Sequence, residues 1–163
     1  MFDKFGELGS AEEINELAKN LLQEGDMESL EQMAKENGIG SDFVEMFREG
    51  AIPYLCDANT AANGKLDMEC ASLELKGLMV DWVEYIRSLC AEKPDMAAAV
   101  RAKGKSLSGC MGSLLKYSFE NRITVGKEIV EAAGIKAAKV DFGVPDMGTA
   151  KKLIRQYYLG GGR

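Results

Sequence analysis

The chain has no histidine among its 163 residues, so it lacks the side chain that most often moves protons near neutral pH and most often binds transition metals. Ser–His and Cys–His nucleophile pairs are excluded with it. The four cysteines, Cys56, Cys70, Cys90 and Cys110, stand 14, 20 and 20 positions apart and never form the close pairs that grip zinc. Reduced, packed thiols are expected. The paired carboxylates lack the oxygen-rich loop that calcium uses. No catalytic residue, metal or cofactor is expected, and the chain is read as a non-enzyme. Carboxylate-only or lysine-based chemistry remains the narrow exception.

What these residues can do is bind. Gly104, Lys105 and Ser106 look like the end of a phosphate-binding P-loop, but that motif needs a glycine five positions earlier, where the chain has Ala99. It also needs a preceding strand, and a helix is expected there. A simpler possibility survives: Arg101, Lys103 and Lys105 precede a helix whose free amides and dipole favour an anion, the alternative being an ordinary solvated turn. Lys151, Lys152 and Arg155 form a basic strip on the final helix, near Tyr158, that could follow a nucleic-acid backbone or simply face water. Glu12, Glu13, Glu16, Glu28 and Glu31 point outward from the first two helices. They can imitate phosphates to a basic channel, or serve only as a charged surface.

The elements that position these groups are helices. Ser10 and Glu13 make a capping box before Ile14, Leu17, Ala18 and Leu21, giving a helix over 11–23. Gly25 stops it, and Asp26 can cap a second helix with Met27, Leu30, Met33 and Ala34 inside, ended by Asn37 and Gly38. Ser41 can cap a third, which carries Phe43, Val44, Met46 and Phe47. Gly50 and Pro53 break the chain, and Asn63–Gly64 are expected to close the segment that follows. Leu75, Leu78, Met79, Trp82, Ile86 and Leu89 predict a central core helix over 75–90, with Trp82 packed rather than free to stack. Pro94 ends it, and Asp95 caps a successor over 96–103.

A further helix follows Ser106, with Leu107, Cys110, Met111, Leu114, Leu115 and Ser118 inward. Gly109 and Gly112 within it suggest a close approach of another backbone. Thr124 can start a helix carrying Ile129, Val130 and Ala133, the alternation over 139–144 allows one short strand, and Pro145–Asp146 open the last helix, with Ala150, Leu153, Ile154 and Tyr157 inside. Residues 160–163 read as a frayed tail. The expectation is an all-α or nearly all-α compact bundle of about seven to eight helices, with at most one short β element near 139–144. It is divided into an acidic lobe, 1–64, and a basic lobe, 65–163, packed as one unit.

Hydrophobic residues make up 46% and charged residues 28%, values that suit a globular domain rather than a disordered one. The net charge of −6 conceals a segregation: residues 1–93 hold 20 acidic and 8 basic side chains, and residues 94–163 hold 6 and 12. Such asymmetry points to electrostatic steering or a charged partner, unless the two halves only attract each other. Charges at Asp3, Lys4 and Glu7 argue against a signal peptide, and no run approaches the ~18 apolar residues of a membrane span. A cytoplasmic, membrane-free protein is expected, and its sequence is compatible with a homodimer.

Several blocks together resemble a known family: MFDKFGEL, LCDANTAANGKLDMECA, DWVEYI, AVRAKGKSLSGCMGSLLKYSF and FGVPDMGTAKKLIRQYYLG. They span almost the whole chain and resemble anti-CRISPR inhibitors of the type II RNA-guided nuclease, small proteins of bacterial mobile elements that overlap with PcfK-like conjugation proteins. The resemblance implies a protein that binds the nuclease with its guide RNA in the bacterial cytoplasm and prevents cleavage. It brings no catalytic residue. The overlap with conjugation proteins implies the alternative, a DNA-binding accessory protein of conjugative transfer that uses the basic C-terminal half.

Overall fold

The structure, a computed structural model, describes residues 3–160. Among them are nine helices and one pair of two-residue strands, so the all-α expectation holds. The order is α1 (Ala11–Glu24), α2 (Met27–Glu36), α3 (Ser41–Arg48), α4 (Ala58–Leu73), α5 (Leu78–Glu92), α6 (Pro94–Arg101), α7 (Leu107–Glu120), β1 (Ile123–Thr124), α8 (Lys127–Ala132), β2 (Asp141–Phe142) and α9 (Met147–Leu159). The chain divides into two compact units, Met1–Ser108 and Gly109–Arg163. The position of the expected lobe boundary, 64/65, lies inside α4. Apart from Gly160, the expected frayed tail lies outside the described residues.

In the first unit, α1 and α2 form the expected hairpin. Ser10 Oγ accepts from the Glu13 amide, while the Glu13 carboxylate reaches back to the amide of Gly9 rather than to that of Ser10. Ile14, Ala18 and Leu21 are buried on one face of α1. Gly25 takes the left-handed conformation that closes the helix, and Asp26 caps α2 through the Ser29 amide. Ser41 does not cap α3. It is the first helical residue, preceded by Gly40, and no side chain caps this helix.

The main departure is α4. Instead of ending at Asn63–Gly64, the helix runs through them, because its face toward the bundle is made of small residues: Ala61, Ala62 and Gly64 are buried with Leu66. A Cβ at Gly64 would lie 2.7 Å from the Gly38 carbonyl oxygen and 2.9 Å from that of Asn37. The glycine is there because the end of α2 passes against the axis of α4, a close approach that only glycine permits. Gly38 is its counterpart, with φ of 72° where α2 closes.

Helix α5 starts at Leu78, later than expected. Trp82, Val83, Ile86, Leu89 and Cys90 are buried, confirming Trp82 as a packing residue, but Leu78 and Met79 are exposed. Pro94 begins α6 rather than merely ending α5: it occupies the first turn, where its missing N–H costs nothing.

Helix α7 begins in the first unit with the buried Leu107 and continues in the second with Cys110, Met111 and Leu114 buried, but Leu115 is 70% exposed, contrary to the core position expected for it. Among the described residues, none outside the helix's own backbone lies within 4 Å of where a Cβ at Gly112 would stand. Thr124 belongs to β1, and α8 starts only at Lys127, with Val130 buried and Ile129 exposed. The strand expected near 139–144 exists as β2 and pairs antiparallel with β1, Ile123 opposite Phe142 and Thr124 opposite Asp141. Asp146 caps α9. In that helix Ala150, Ile154 and Tyr158 are buried, and Tyr157 is only half-buried.

Candidate interaction surface

Two cations are inside the first unit, and one of them, Arg101, is expected from the sequence beside an anion. Arg101, 2% exposed, spends its guanidinium on four oxygens: the carbonyls of Leu8, Asn37 and Ala61 and the side-chain oxygen of Asn37. Lys65 Nζ donates to the carbonyls of Ala102 (3.0 Å) and Lys105 (2.7 Å) and pairs with Glu7 at 2.8 Å. Residues 3–9 are tied down by the same group. Glu36 accepts from the amides of Lys4, Phe5 and Gly6, and Asn37 accepts from that of Leu8. Such a network satisfies every carbonyl it touches and fixes the packing of α2, α4 and α6.

This network withdraws Arg101 and the first amide of α7 from the anion site expected at 101–106. Arg101 is committed to carbonyls, and the free amide of Leu107 at the start of α7 already receives a carboxylate, Glu69 Oε1, at 3.1 Å. The anion that the helix terminus favours is supplied by the chain itself. Burial pushes the Glu69 carboxyl above its usual range, opposed by the Leu107 amide and by Lys65. Lys103 is exposed, with its stem against Gly9, and Lys105 is half-buried. Burial likewise raises the thiols of Cys56 and Cys90 to about 11, which makes them packing groups rather than nucleophiles.

The five glutamates fare differently. Glu12, Glu13 and Glu16 on α1 and Glu28 and Glu31 on α2 are all exposed. Glu12, Glu13 and Glu28 fall in the first turns of capped helices, where the dipole favours them. Glu16 borders a feature that the sequence reading missed. The loop after α3 raises Ile52, Pro53 and Tyr54 into a ridge, with Tyr54 67% exposed. On one side a groove of about 630 Å³ is lined by Glu16, Lys19, Leu22, Phe47 and the ridge. On the other a hollow of about 320 Å³ is lined by Phe43, Leu55, Cys56 and Asp57.

The ridge is held in place. The Asn15 side chain donates to the Cys56 carbonyl (2.8 Å) and accepts from the Cys56 amide (3.0 Å), a two-point clamp from α1. Ala51 bonds back to Met46, and Asp57 caps α4 through Thr60. The elements that carry it, α1, α3 and residues 49–57, hold eight acidic side chains against Lys19 and Arg48, and of these Glu16, Asp57 and Lys19 line the two hollows. A sequence signal existed: an Ile-Pro-Tyr run beside a helix start, where Pro53 fixes the backbone and Tyr54 has no periodic partner.

The second unit carries five acidic and nine basic side chains. Of the basic strip on α9, Lys152 and Arg155 are exposed and Lys151 is half-buried, while Tyr158 is buried and unavailable beside them. Exposed apolar residues are frequent: Leu115 and Phe119 on α7, with the Arg122 guanidinium 4.3 Å from the Phe119 ring, and the Ile123–Phe142 pair.

Among the described residues no helix is long and apolar enough to cross a membrane, and no cluster of His, Cys, Asp or Glu could hold a metal ion. No family model matches the chain, and comparisons with curated proteins and with solved structures found no match.

Proposed function

We propose that this chain is a non-catalytic binding protein that presents the acidic face of its first unit to a cationic surface, and that its target is a guide-loaded type II CRISPR nuclease whose cleavage it blocks. The observation that carries the binding mode is the set of exposed carboxylates, Glu12, Glu13, Glu16, Glu28 and Glu31, on two capped helices. Fixed negative charges of this kind suit a channel built to receive nucleic acid. The choice of target is supported by the sequence blocks that resemble anti-CRISPR proteins, and by nothing else. The test is cleavage of a matched DNA by purified guide-loaded nuclease at increasing amounts of this protein. Cleavage should fall to background near equimolar protein. Full cutting by several nuclease orthologues at a large excess would refute the inhibitor reading.

A second reading, a DNA-binding accessory protein of conjugative transfer, draws on the nine basic side chains of residues 109–163. The exposed apolar side chains between them are mostly aliphatic, Leu115, Ile123, Ile129, Ile135 and Val144 among them, and two aromatics, Phe119 and Phe142, offer bases a stacking surface. Retention of the full chain on DNA at low salt, lost steeply as salt rises, would favour this reading over the first.

A further inference from the structure

We infer that the Tyr54 ridge and its two flanking hollows form a docking site for a cationic, amphipathic polypeptide segment, whose apolar side chains fill the hollows while its lysines or arginines face the surrounding carboxylates. This goes beyond the nuclease reading and does not depend on it.

Three observations carry the inference. The first is shape: an exposed tyrosine standing between two apolar hollows is the arrangement in which a few large side chains supply most of the binding energy. Leu22 and Phe47 give the larger groove an apolar floor. The second is rigidity. The Asn15 clamp on Cys56, the buried Leu55 and the φ constraint of Pro53 hold the ridge in its exposed position, so little ordering cost falls on binding.

The third is charge, which also selects the occupant. Glu16 and Asp57 line the hollows, and Glu12, Glu45 and Glu49 are exposed on the same elements, offset there by Arg48 and by Lys19, which lines the larger hollow. A nucleic acid or an anionic lipid surface would be repelled. A cationic segment is drawn in at a rate that falls with salt, and its apolar face explains the hollows, which a purely ionic partner would leave empty.

The test is an NMR titration of the full chain with three synthetic helical peptides: lysine with leucine, lysine with serine, and glutamate with leucine. The lysine–leucine peptide should give saturable shifts at Ile52, Tyr54, Lys19 and Gln23. Tyr54→Ala should weaken its binding roughly tenfold or more and leave the helical circular dichroism unchanged, since Tyr54 is mostly exposed. The lysine–serine peptide should bind only weakly and without saturation, and the glutamate–leucine peptide not at all. Equal binding of both lysine peptides would reduce the site to unspecific charge and overturn the inference. So would shifts centred on Leu115 and Phe119, or a Tyr54→Ala variant that binds as well as the parent. Self-association abolished by Tyr54→Ala would assign the ridge to a second copy and overturn it equally. Because no nuclease enters this experiment, its outcome is separate from that of the cleavage test.

Discussion

Single residues decide how the first unit packs. Gly64 is the clearest case, because a methyl group there would press on the backbone of residues 37 and 38 rather than on a side chain that could move. Gly64→Ala should destabilise the fold by about 1–3 kcal/mol despite alanine's better helix propensity, as read by chemical denaturation. Arg101→Ala should cost about 3 kcal/mol or more, since it strips buried carbonyls of their donors. Arg101→Lys should recover little, because an ammonium cannot reproduce the planar fork that meets four oxygens. Two carboxyls shape the acid response. Partial desolvation of Glu36 works against its ionisation, but the hydrogen bonds from Gln32 and from the amides of Lys4, Phe5 and Gly6 outweigh it and hold its pKa near about 2, below the ordinary 4.5. Its contribution is therefore complete above pH 4.5 and lost as the pH falls toward 2. Glu36→Gln should flatten stability across that window. Glu69 has the opposite sign: burial raises its pKa, so ionising it penalises the folded state as the pH rises above 4.5, and Glu69→Gln should remove that slope. None of this was legible in the sequence. A lysine and an arginine inside a domain are rare, and Arg101 and Lys65 have no local pattern that marks them as buried, because their partners are carbonyls up to 93 positions away in the chain.

At the scale of elements, capping chemistry made α1, α2 and α9 legible almost to the residue, since Ser10, Asp26 and Asp146 each bond the amide three positions ahead. Helix α4 was not, because Asn63 and Gly64 read as the end of a segment, while the burial of Gly64 depends on the backbone of residues 37 and 38 at the end of α2. On α7 the reading of one broad inward face was too wide. Leu114 is fully buried, but Leu115 and Phe119 look outward. Leu115→Ser and Phe119→Ser should each shift stability by no more than about 0.5 kcal/mol, whereas Leu114→Ala should cost about 2–5 kcal/mol; thermal or denaturant unfolding of the three variants checks both. Periodicity finds a helix reliably, but it cannot tell a core face from an apolar face left for something else. The Tyr54 ridge escaped for a related reason: an irregular loop has no period, and its exposure depends on the clamp from Asn15.

For the whole molecule, the charge segregation seen in the sequence persists with a later boundary. Met1–Ser108 carries 21 acidic and 11 basic side chains, and Gly109–Arg163 carries 5 and 9. The acidic unit also contains the clamped ridge and the exposed glutamates of α1 and α2, and it is this unit that we propose meets a cationic partner, with charge driving the encounter. Exposed charges act mainly on the association rate and its salt dependence. The direct measurement is the association rate with guide-loaded type II nuclease, at low and at physiological salt, for the parent chain and two variants. In one variant Glu12, Glu13, Glu16, Glu28 and Glu31 are replaced by glutamine, and in the other Lys151, Lys152 and Arg155 are replaced by glutamine. The account predicts that the first variant associates about tenfold or more slowly at low salt and loses most of the salt dependence, with its helical content intact, while the second changes little. An unchanged rate for the first variant, a larger loss for the second, or no complex with the parent chain would contradict it.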